Sequence, residues 1–350
     1  MGLLPSARMT HRTARHRLAF AVVGLIVLFG IAAPALAAVS TFYRTQSLGD
    51  RGTDVATIQQ LIHAHQTTAP PPLGGRTVIV RGIDPLLVPL DGIFGATTAD
   101  AVRAFQASRG LADTGIVDGA TWSQLVIPVG PGASGDAVVA VQRLLHEKRA
   151  AAVPTDGVYD LATTAAVKSF QAHSELAQTG SVDGATWRAL VWHFELPRFS
   201  SSALCDYSSG NGPANWGTAE TISTLEAAGA VMVSAGYGRV VIGDVSYEHG
   251  GDIADHESHE LGLDADIRLM RKANDQCSYP TRWTLASYDR AATRALVKAI
   301  RAATPGHVKL IFFNDPVLIG EGLTTKYPGH DDHLHLRLCE VGFGDSRYRC

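Results

Sequence analysis

Histidines and acidic residues cluster in two short stretches near the C-terminal end of this 350-residue chain. The first is HESHELGLDADI, from His256 to Ile267, and the second is GHDDHLHLR, from Gly329 to Arg337. Imidazoles beside carboxylates are typical ligands of zinc and related metals. The two stretches therefore predict a metal site, and an open coordination position there would suit hydrolysis.

The spacing within these stretches narrows the candidates. The helical H-E-x-x-H pattern of many zinc peptidases is not satisfied, because the fourth residue after the first histidine is Glu260. On a strand, side chains two residues apart share a face, so His333 and His335 point the same way. What remains is a His-x6-Asp pair, His259 and Asp266, together with the His-x-His pair.

The chain around these motifs shows a mixed pattern of elements. Caps and apolar periodicity predict helices over 218–230 and 287–300, with Ser287 as the cap of the second. Short apolar or alternating runs predict strands over 239–242, 263–269, 307–313 and 333–338. We therefore predict an α+β domain over 218–350 with a mainly antiparallel sheet.

An internal repeat precedes this domain. Residues 88–126, VPLDGIFGATTADAVRAFQASRGLADTGIVDGATWSQLV, match residues 153–191, VPTDGVYDLATTAAVKSFQAHSELAQTGSVDGATWRALV. The upstream segment VATIQQL at 55–61 matches VVAVQRL at 138–144. The first copy carries about 18 extra residues, Pro/Gly-rich in part, which predicts an inserted loop over 65–87.

Each copy of the repeat predicts a small helical unit. Residues 55–62 have helical spacing, Thr97 is a candidate cap for a second helix, and Asp118 for a short third helix carrying Trp122. We predict two small all-α three-helix modules and then a linker that leads into the next domain. These three regions are placed at 45–126, 127–192 and 193–217.

The N-terminal residues predict export. Arginines precede the apolar run 18–33, and the small-residue pattern Ala35-Leu36-Ala37 follows it. This order predicts a signal peptide over 1–37, with a retained membrane anchor as the alternative. The net charge of −3 and the lack of a basic stripe beyond the N-terminus argue against nucleic-acid binding. We expect a secreted, cell-wall-associated monomer without stable membrane association after cleavage.

The four cysteines fit this compartment. An even number in an exported chain favours disulfides, and we predict Cys339–Cys350 as a local loop with Cys205–Cys277 as the second bridge. The alternative is that two of them close a structural metal site, but no C-x-x-C spacing supports it.

The repeat resembles a known binding module. Its pattern, D-G-x-F-G-x-x-T-x-x-A-V-x-x-F-Q…G-x-V-D-x-x-T-W, is similar to the three-helix peptidoglycan-binding domain of wall hydrolases. The second copy departs at Tyr159-Asp160, where the first has Phe94-Gly95. The resemblance implies peptidoglycan as a partner, while most motif residues are expected to be turn formers, caps and core aromatics.

The C-terminal domain resembles the penicillin-insensitive murein endopeptidase family, in a zinc peptidase group with lysostaphin-type and D-Ala-D-Ala peptidases. Four ordered motifs carry the resemblance: IGDVSYEHGG at 242–251, H-x-S-H-x-x-G-L-D-x-D-I at 256–267, LIFFN at 310–314 and G-H-x-x-H-x-H-x-R-L at 329–338. The resemblance implies an exported Zn²⁺-dependent endopeptidase that hydrolyses stem-peptide cross-links at D-alanyl–diaminopimelyl bonds.

Carried over residue by residue, this resemblance assigns roles. It implies His259, Asp266 and His335 as zinc ligands and His333 as the catalytic histidine beside the metal. His333 would take a proton from water or stabilise the developing oxyanion, and pass a proton to the leaving amine.

Other residues of the motifs are implied as neighbours of the metal. His256 and His330 are expected to line the site, and Asp264 to orient a ligand. Asp332 is an alternative base, because some D-Ala-D-Ala peptidases of the group use a carboxylate three residues before the last ligand.

Two other functions fit the same motifs. The protein could be a non-catalytic wall-binding factor whose metal site has lost turnover. It could also be a D,D-carboxypeptidase that trims stem peptides, and a carboxylate pocket marked by Arg268 or Arg337 would favour that function.

Overall fold

The computed structural model describes residues 43–68, 88–199, 203–207, 213–254 and 256–350. The predicted signal peptide and residues 69–87 of the predicted inserted loop lie outside these ranges. Residues 65–68, predicted as the start of that loop, are helical. Within the described ranges, no helix is both long enough and apolar enough to cross a membrane.

The described residues form a helical N-terminal region and a mixed C-terminal domain. In chain order the elements are α1 Thr53–Thr68, α2 Ala96–Ser108, α3 Gly119–Leu125, α4 Asp136–Arg149, α5 Leu161–His173, α6 Gly184–Trp192, β1 Leu204–Asp206, α7 Ala219–Ser234, β2 Val240–Ile242, β3 Asp264–Arg268, α8 Arg290–Ala303, β4 Val308–Phe312, α9 Pro316–Gly320 and β5 His333–Leu338.

Polar residues of the repeat motif hold its helices together. In the second copy, Gln171 of α5 donates to the Ser181 carbonyl oxygen at 2.8 Å and to the Thr186 hydroxyl at 3.1 Å. Asp183 caps α6 by accepting from the Thr186 backbone amide at 2.8 Å. The first copy repeats this arrangement around Gln106. These motif residues therefore serve the fold of the module itself.

Two of the predicted helix caps are wrong. Helix α2 follows Gly95, which has no side chain to cap it, and Thr97 lies inside the first turn. In the second copy Asp160 supplies the cap that Gly95 cannot, which explains the departure between the two repeats. Ser287 does not cap α8 because its hydroxyl bonds a threonine hydroxyl, and Asp289 caps that helix instead.

The two helical modules share one hydrophobic core. Fully buried residues of α1 and α4, among them Leu61 and Leu144, belong to a single apolar cluster. Trp122 and Trp187 anchor the two copies, and each indole nitrogen donates to a backbone carbonyl oxygen at 2.9 Å. Burial of such large side chains on both copies stabilises the pair of modules as one packed unit.

A five-stranded sheet organises the C-terminal domain. Its order is β1-β2-β3-β5-β4, with β1 parallel to β2 and the other neighbours antiparallel. The predicted mainly antiparallel sheet is therefore found. Strand β1 lies within 193–217, the segment predicted as a linker, so the sheet of the C-terminal domain begins upstream of residue 218.

A second apolar cluster lies between this sheet and helices α7 and α8. Two disulfides tie down the domain, Cys205–Cys277 and Cys339–Cys350, with Cα–Cα distances of 6.0 and 5.1 Å. The first joins β1 to the loop after β3, and the second closes the C-terminal segment. Both are the predicted pairs.

Candidate metal centre

Strand pairing creates the centre of the site. In the antiparallel pair β3–β5, Asp266 lies directly opposite His335. Both side chains therefore project from the same face of the sheet at the same level. His259 comes from the loop before β3, and its backbone has a positive φ of 80°. A non-glycine residue rarely adopts that conformation, and such strain is common where a functional side chain must be aimed.

Three atoms from these residues form a compact triangle. His259 Nε2 lies 3.3 Å from His335 Nδ1 and 3.5 Å from Asp266 Oδ1. His335 Nδ1 lies 3.0 Å from the same Asp266 oxygen. Ligand atoms about 2.0–2.1 Å from a tetrahedral zinc ion are separated from each other by about 3.3 Å. The donor set and its spacing therefore fit Zn²⁺.

The remaining ring nitrogens are held by the protein. His259 Nδ1 lies 3.1 Å from the Val245 carbonyl oxygen, to which it donates. His335 Nε2 lies 3.0 Å from Asp264 Oδ1 and donates to it. In the neutral form that a metal requires, these hydrogen bonds place the lone pair of each imidazole on the nitrogen that faces the triangle.

Asp264 is the buried support of this arrangement. Besides His335, it accepts hydrogen bonds from Arg337 Nε at 2.7 Å and from the Tyr348 hydroxyl at 2.6 Å. Burial raises the pKa of Asp264, but the His335 hydrogen bond and the charges of His335 and Arg337 lower it to about 2. Asp264 therefore stays ionised and holds the His335 ring by this hydrogen bond.

Comparison with protein families agrees with this reading of the domains. Residues 81–125 and 134–190 match the family model of a peptidoglycan binding domain, and residues 211–311 match that of penicillin-insensitive murein endopeptidase. The two kinds of family model thus match in the predicted order, peptidoglycan-binding segments first and the murein endopeptidase family after them. No curated protein matches the chain.

The matched part of the endopeptidase domain includes His259 and Asp266 and ends in β4. His333 and His335 lie beyond it, on β5. They join the site because β5 pairs with both β3 and β4 in the sheet. The pairing of the strands thus places them beside residues that the family comparison covers.

His333 occupies the open side of the endopeptidase site. Its Nε2 lies 3.8 Å from Asp266 Oδ1, and its Nδ1 lies 3.0 Å from Asp332 Oδ1. The side chain is 29 % exposed, unlike the buried His259. The His333 hydrogen bond is the main cause that lowers the pKa of Asp332, which makes this carboxylate the ionised partner of the histidine.

His256 and His330 also reach the site. His256 Nε2 lies 3.3 Å from Asp266 Oδ2, the oxygen outside the triangle. This hydrogen bond raises the pKa of His256 to about 9. The His330 ring packs at 4.7 Å from that of His333 and 5.3 Å from that of Phe312. All six predicted site residues of the endopeptidase domain are therefore neighbours.

Sequence reasoning missed part of this environment. It did not single out Tyr348 or the Val245 carbonyl, and nothing in the motif spacing indicates either contact. His256, His259 and Asp266 also form a group with metal-ligand spacing of their own, so Asp266 has imidazoles beside both oxygens. A cavity of about 810 Å³ near Arg51 and Glu226 is lined by none of the candidate ligands and does not identify the site.

Proposed function

We propose that this chain is an exported, zinc-dependent peptidoglycan endopeptidase that hydrolyses stem-peptide cross-links at D-alanyl–diaminopimelyl bonds. The observation that carries the proposal is the triangle of His259 Nε2, Asp266 Oδ1 and His335 Nδ1, whose edges measure 3.0 to 3.5 Å. The endopeptidase family of the domain and the peptidoglycan-binding segments before it support the polymer as substrate.

Zinc held by these ligands would polarise the scissile carbonyl and lower the pKa of the attacking water to about 7. Three ligands would leave a fourth position open, and the hydrogen bonds to the Val245 carbonyl and Asp264 favour the tautomers that zinc needs. Asp264 has no contact with substrate in this scheme, because its hydrogen bonds are taken by residues that fix His335.

His333 is the proton carrier in the proposal. Its Nε2 faces the triangle, and its Nδ1–H donates to Asp332. Nε2 accepts a proton as water attacks the carbonyl and returns it to the leaving amine. The negative charge of Asp332 stabilises the imidazolium between these two steps. Asp332 acts through His333 and is not itself the base.

Endopeptidase activity is favoured over carboxypeptidase activity by the two candidate arginines. Arg337 donates to Asp264, and its guanidinium lies 4.7 Å from the centre of the Tyr348 ring. Arg268 lies against the Tyr207 ring and donates to the Gln276 carbonyl oxygen at 3.3 Å. Both guanidinium groups are committed to the fold, which leaves neither as a ready partner for the free carboxylate of a stem end.

The rest of the chain supports a wall enzyme. Two disulfides in the catalytic domain suit an oxidising, extracytoplasmic compartment. Tethering to the polymer by the binding modules raises the local concentration of cross-links at the site without any new contact. The predicted signal peptide and monomeric state belong to the same proposal.

The test is digestion of purified cross-linked peptidoglycan, with muropeptides identified by mass spectrometry. We expect wild type to convert cross-linked dimers to monomers, a chelator to stop it and Zn²⁺ to restore it. His333→Ala should reduce the rate by about 10²–10⁴-fold, the usual contribution of a general acid–base group. His146→Ala is the matched control, because His146 is an exposed histidine of α4 outside the site.

The products also decide between functions. Scission between D-alanine and diaminopimelate identifies the proposed bond, whereas release of terminal D-alanine alone would assign a carboxypeptidase. A folded, zinc-loaded protein that sediments with the wall and leaves all muropeptides unchanged would contradict the enzymatic proposal.

A further inference from the structure

We propose a second metal site in this protein, where the second helical module meets the endopeptidase domain. Its ligands are His173, His193 and His249, completed by the carboxylate of Glu248, and its chemistry suits a divalent transition metal such as Zn²⁺. This site is separate from the triangle around Asp266 and does not depend on the proposed function.

Three elements bring these ligands together. His173 is the last residue of α5, and His193 follows the last residue of α6. Glu248 and His249 lie in the turn after β2, in the endopeptidase domain. One nitrogen from each histidine lies within 4.8 Å of the other two, and the ring centres are 5.1 to 5.8 Å apart.

Two buried ring nitrogens in this cluster face the same carboxylate. His193 Nδ1 donates to the Phe194 carbonyl oxygen at 2.5 Å, and this leaves the lone pair on Nε2. Nε2 of His193 and Nε2 of His173 are both buried, and each lies near Oε1 of Glu248 without a well-aligned hydrogen bond. The His193 side chain is only 4 % exposed. A buried nitrogen without a well-aligned hydrogen bond is destabilising, and a bound ion is one of the few arrangements that satisfies it.

The Glu248 carboxylate lies close enough to the histidines to serve as a fourth ligand. Glu248 Oε1 lies 3.0 Å from His173 Nε2 and 3.5 Å from His193 Nε2, so one oxygen faces both imidazoles. His249 Nε2 lies 4.0 Å from the other oxygen. His249 is 43 % exposed, so its ring has the freedom to close on an ion.

The donor set selects the class of metal. Three imidazoles and one carboxylate favour zinc, copper and nickel over magnesium or calcium, which prefer oxygen ligands. Arg149 also contacts Glu248, so an ion there shares this carboxylate with a cation. The imidazoles therefore carry most of the binding, and Glu248 offsets the added charge.

An ion in this position would join two parts of the chain. His173 and His193 belong to the second binding module, and His249 to the endopeptidase domain. Metal binding to the folded protein alone stabilises it by mass action. The second site should therefore raise the temperature of unfolding and oppose separation of the module from the enzyme.

The test is the zinc content and zinc affinity of the purified protein after equilibrium dialysis, followed with a chromophoric chelator. We expect two zinc ions per wild-type chain and one in His249→Asn or His173→Gln. His335→Ala should also hold one, and His335→Ala/His249→Asn none. The matched control His146→Asn should keep two.

A second measurement guards against misfolding. In the His335→Ala background, added Zn²⁺ should raise the unfolding temperature, and His249→Asn should abolish that rise while leaving the metal-free protein equally stable. Unchanged zinc content and affinity in both His249→Asn and His173→Gln would overturn the second site. Loss of all zinc in His335→Ala would also overturn the second site. If His335→Ala instead binds as much zinc as wild type, the proposed catalytic zinc site is wrong and the second site is not affected.

Discussion

Two buried clusters in this protein have nearly the same composition and opposite character. One is the triangle of His259, Asp266 and His335 in the endopeptidase domain. The other joins His307 to the carboxylates of Asp50 and Glu220, all three of them buried. Both have the residue types and the spacing of a metal site, so composition does not distinguish them.

The ring nitrogens do distinguish them. His307 Nδ1 lies 3.0 Å from Asp50 Oδ1 and 3.1 Å from the Cys339 carbonyl oxygen, and its Nε2 lies 3.2 Å from the Leu48 carbonyl oxygen. Both nitrogens of His307 therefore donate to protein oxygens. In the triangle, by contrast, one nitrogen of each histidine faces the other across 3.3 Å. A histidine with a lone pair directed at a shared point can bind a metal, and one with two donated protons cannot.

Charge does not divide the clusters in this way. Burial lowers the pKa of His335, but its hydrogen bonds to Asp264 and Asp266 and their charges raise it to about 9, so zinc binding at the triangle would release that proton. Burial lowers the pKa of His307, but the hydrogen bond and charge of Asp50, with the charge of Glu220, raise it to about 10. His307 is thus an imidazolium paired with carboxylates. Asp50 belongs to the first helical module and Glu220 to α7, so this cluster joins the module to the endopeptidase domain.

The largest effect is expected from the substitution of a candidate zinc ligand in the triangle. His335→Ala should lower endopeptidase activity by about 10⁴-fold or more, since loss of one essential member disables a whole catalytic group. It should also remove zinc from the catalytic site. Muropeptide analysis and metal content measure the two effects, and retention of a tenth of the wild-type rate would refute the ligand assignment.

At the other cluster, a substitution should act on stability alone. His307→Gln leaves Asp50 and Glu220 buried without their cation, which should lower the free energy of unfolding by about 3–5 kcal/mol. Urea denaturation measures the loss, and zinc binding to the native variant should be unchanged. His146→Gln, on an exposed position, should change stability by less than about 0.5 kcal/mol. A drop in zinc affinity for His307→Gln would mean that the clusters are not independent.

The same cluster should make stability depend on alkaline pH. His307 has a folded pKa of about 10, whereas an unfolded histidine has about 6.5. Its stabilisation is therefore complete below about pH 6.5 and is lost as the pH rises through about 10. Burial raises the pKa of Glu220 well above its usual value, and a raised carboxyl pKa acts in the same direction.

Urea denaturation from pH 6 to pH 10 measures this effect, with His307→Gln as the reference. The wild-type protein should lose its stability advantage over the variant across that range. A difference between the two proteins that stays constant with pH would show that His307 is not charged in the folded state.

The smallest effect is expected at Asp264, which supports His335 without belonging to the triangle. Asp264→Asn should weaken zinc binding by about 10–100-fold, as is usual for a residue that orients a metal-binding histidine. Tyr348→Phe removes only one of the hydrogen bonds to Asp264 and should have a smaller effect in the same direction. Competition with a chromophoric chelator gives both affinities. Equal zinc affinity in wild type and Asp264→Asn would show that His335 needs no buried partner.

Local patterns in the sequence predicted many elements and few of their contacts. The alternation HLHLRL predicted β5 correctly over 333–338, because its apolar face is buried throughout. Thr97 and Ser287 were wrong as caps, since a nearby residue or a tertiary hydrogen bond decided the helix start. A cap depends on which of several competing hydrogen bonds forms, and the sequence does not contain that choice.

The site shows the same limit. Spacing alone brought His333 and His335 to one face, and the family resemblance supplied the ligand set. The pairing of Asp266 with His335 depends on a strand register that spans 69 residues of chain, and the sequence gives no measure of it. Tyr348 lies outside every motif. The proximity of the ring nitrogens of His173, His193 and His249 likewise depends on how the second module packs against the endopeptidase domain.

The shared core of the helical modules fixes their orientation relative to each other. Two copies joined by a free linker would search the wall separately, each with its own orientation. Because α1 and α4 lie in one apolar cluster, the two modules are packed against each other as one unit. Under the proposed function, the buried charges around His307 would hold the endopeptidase domain at a fixed distance from this unit. The distance from the bound wall to the active site would then be set by packing between domains and not by a flexible linker.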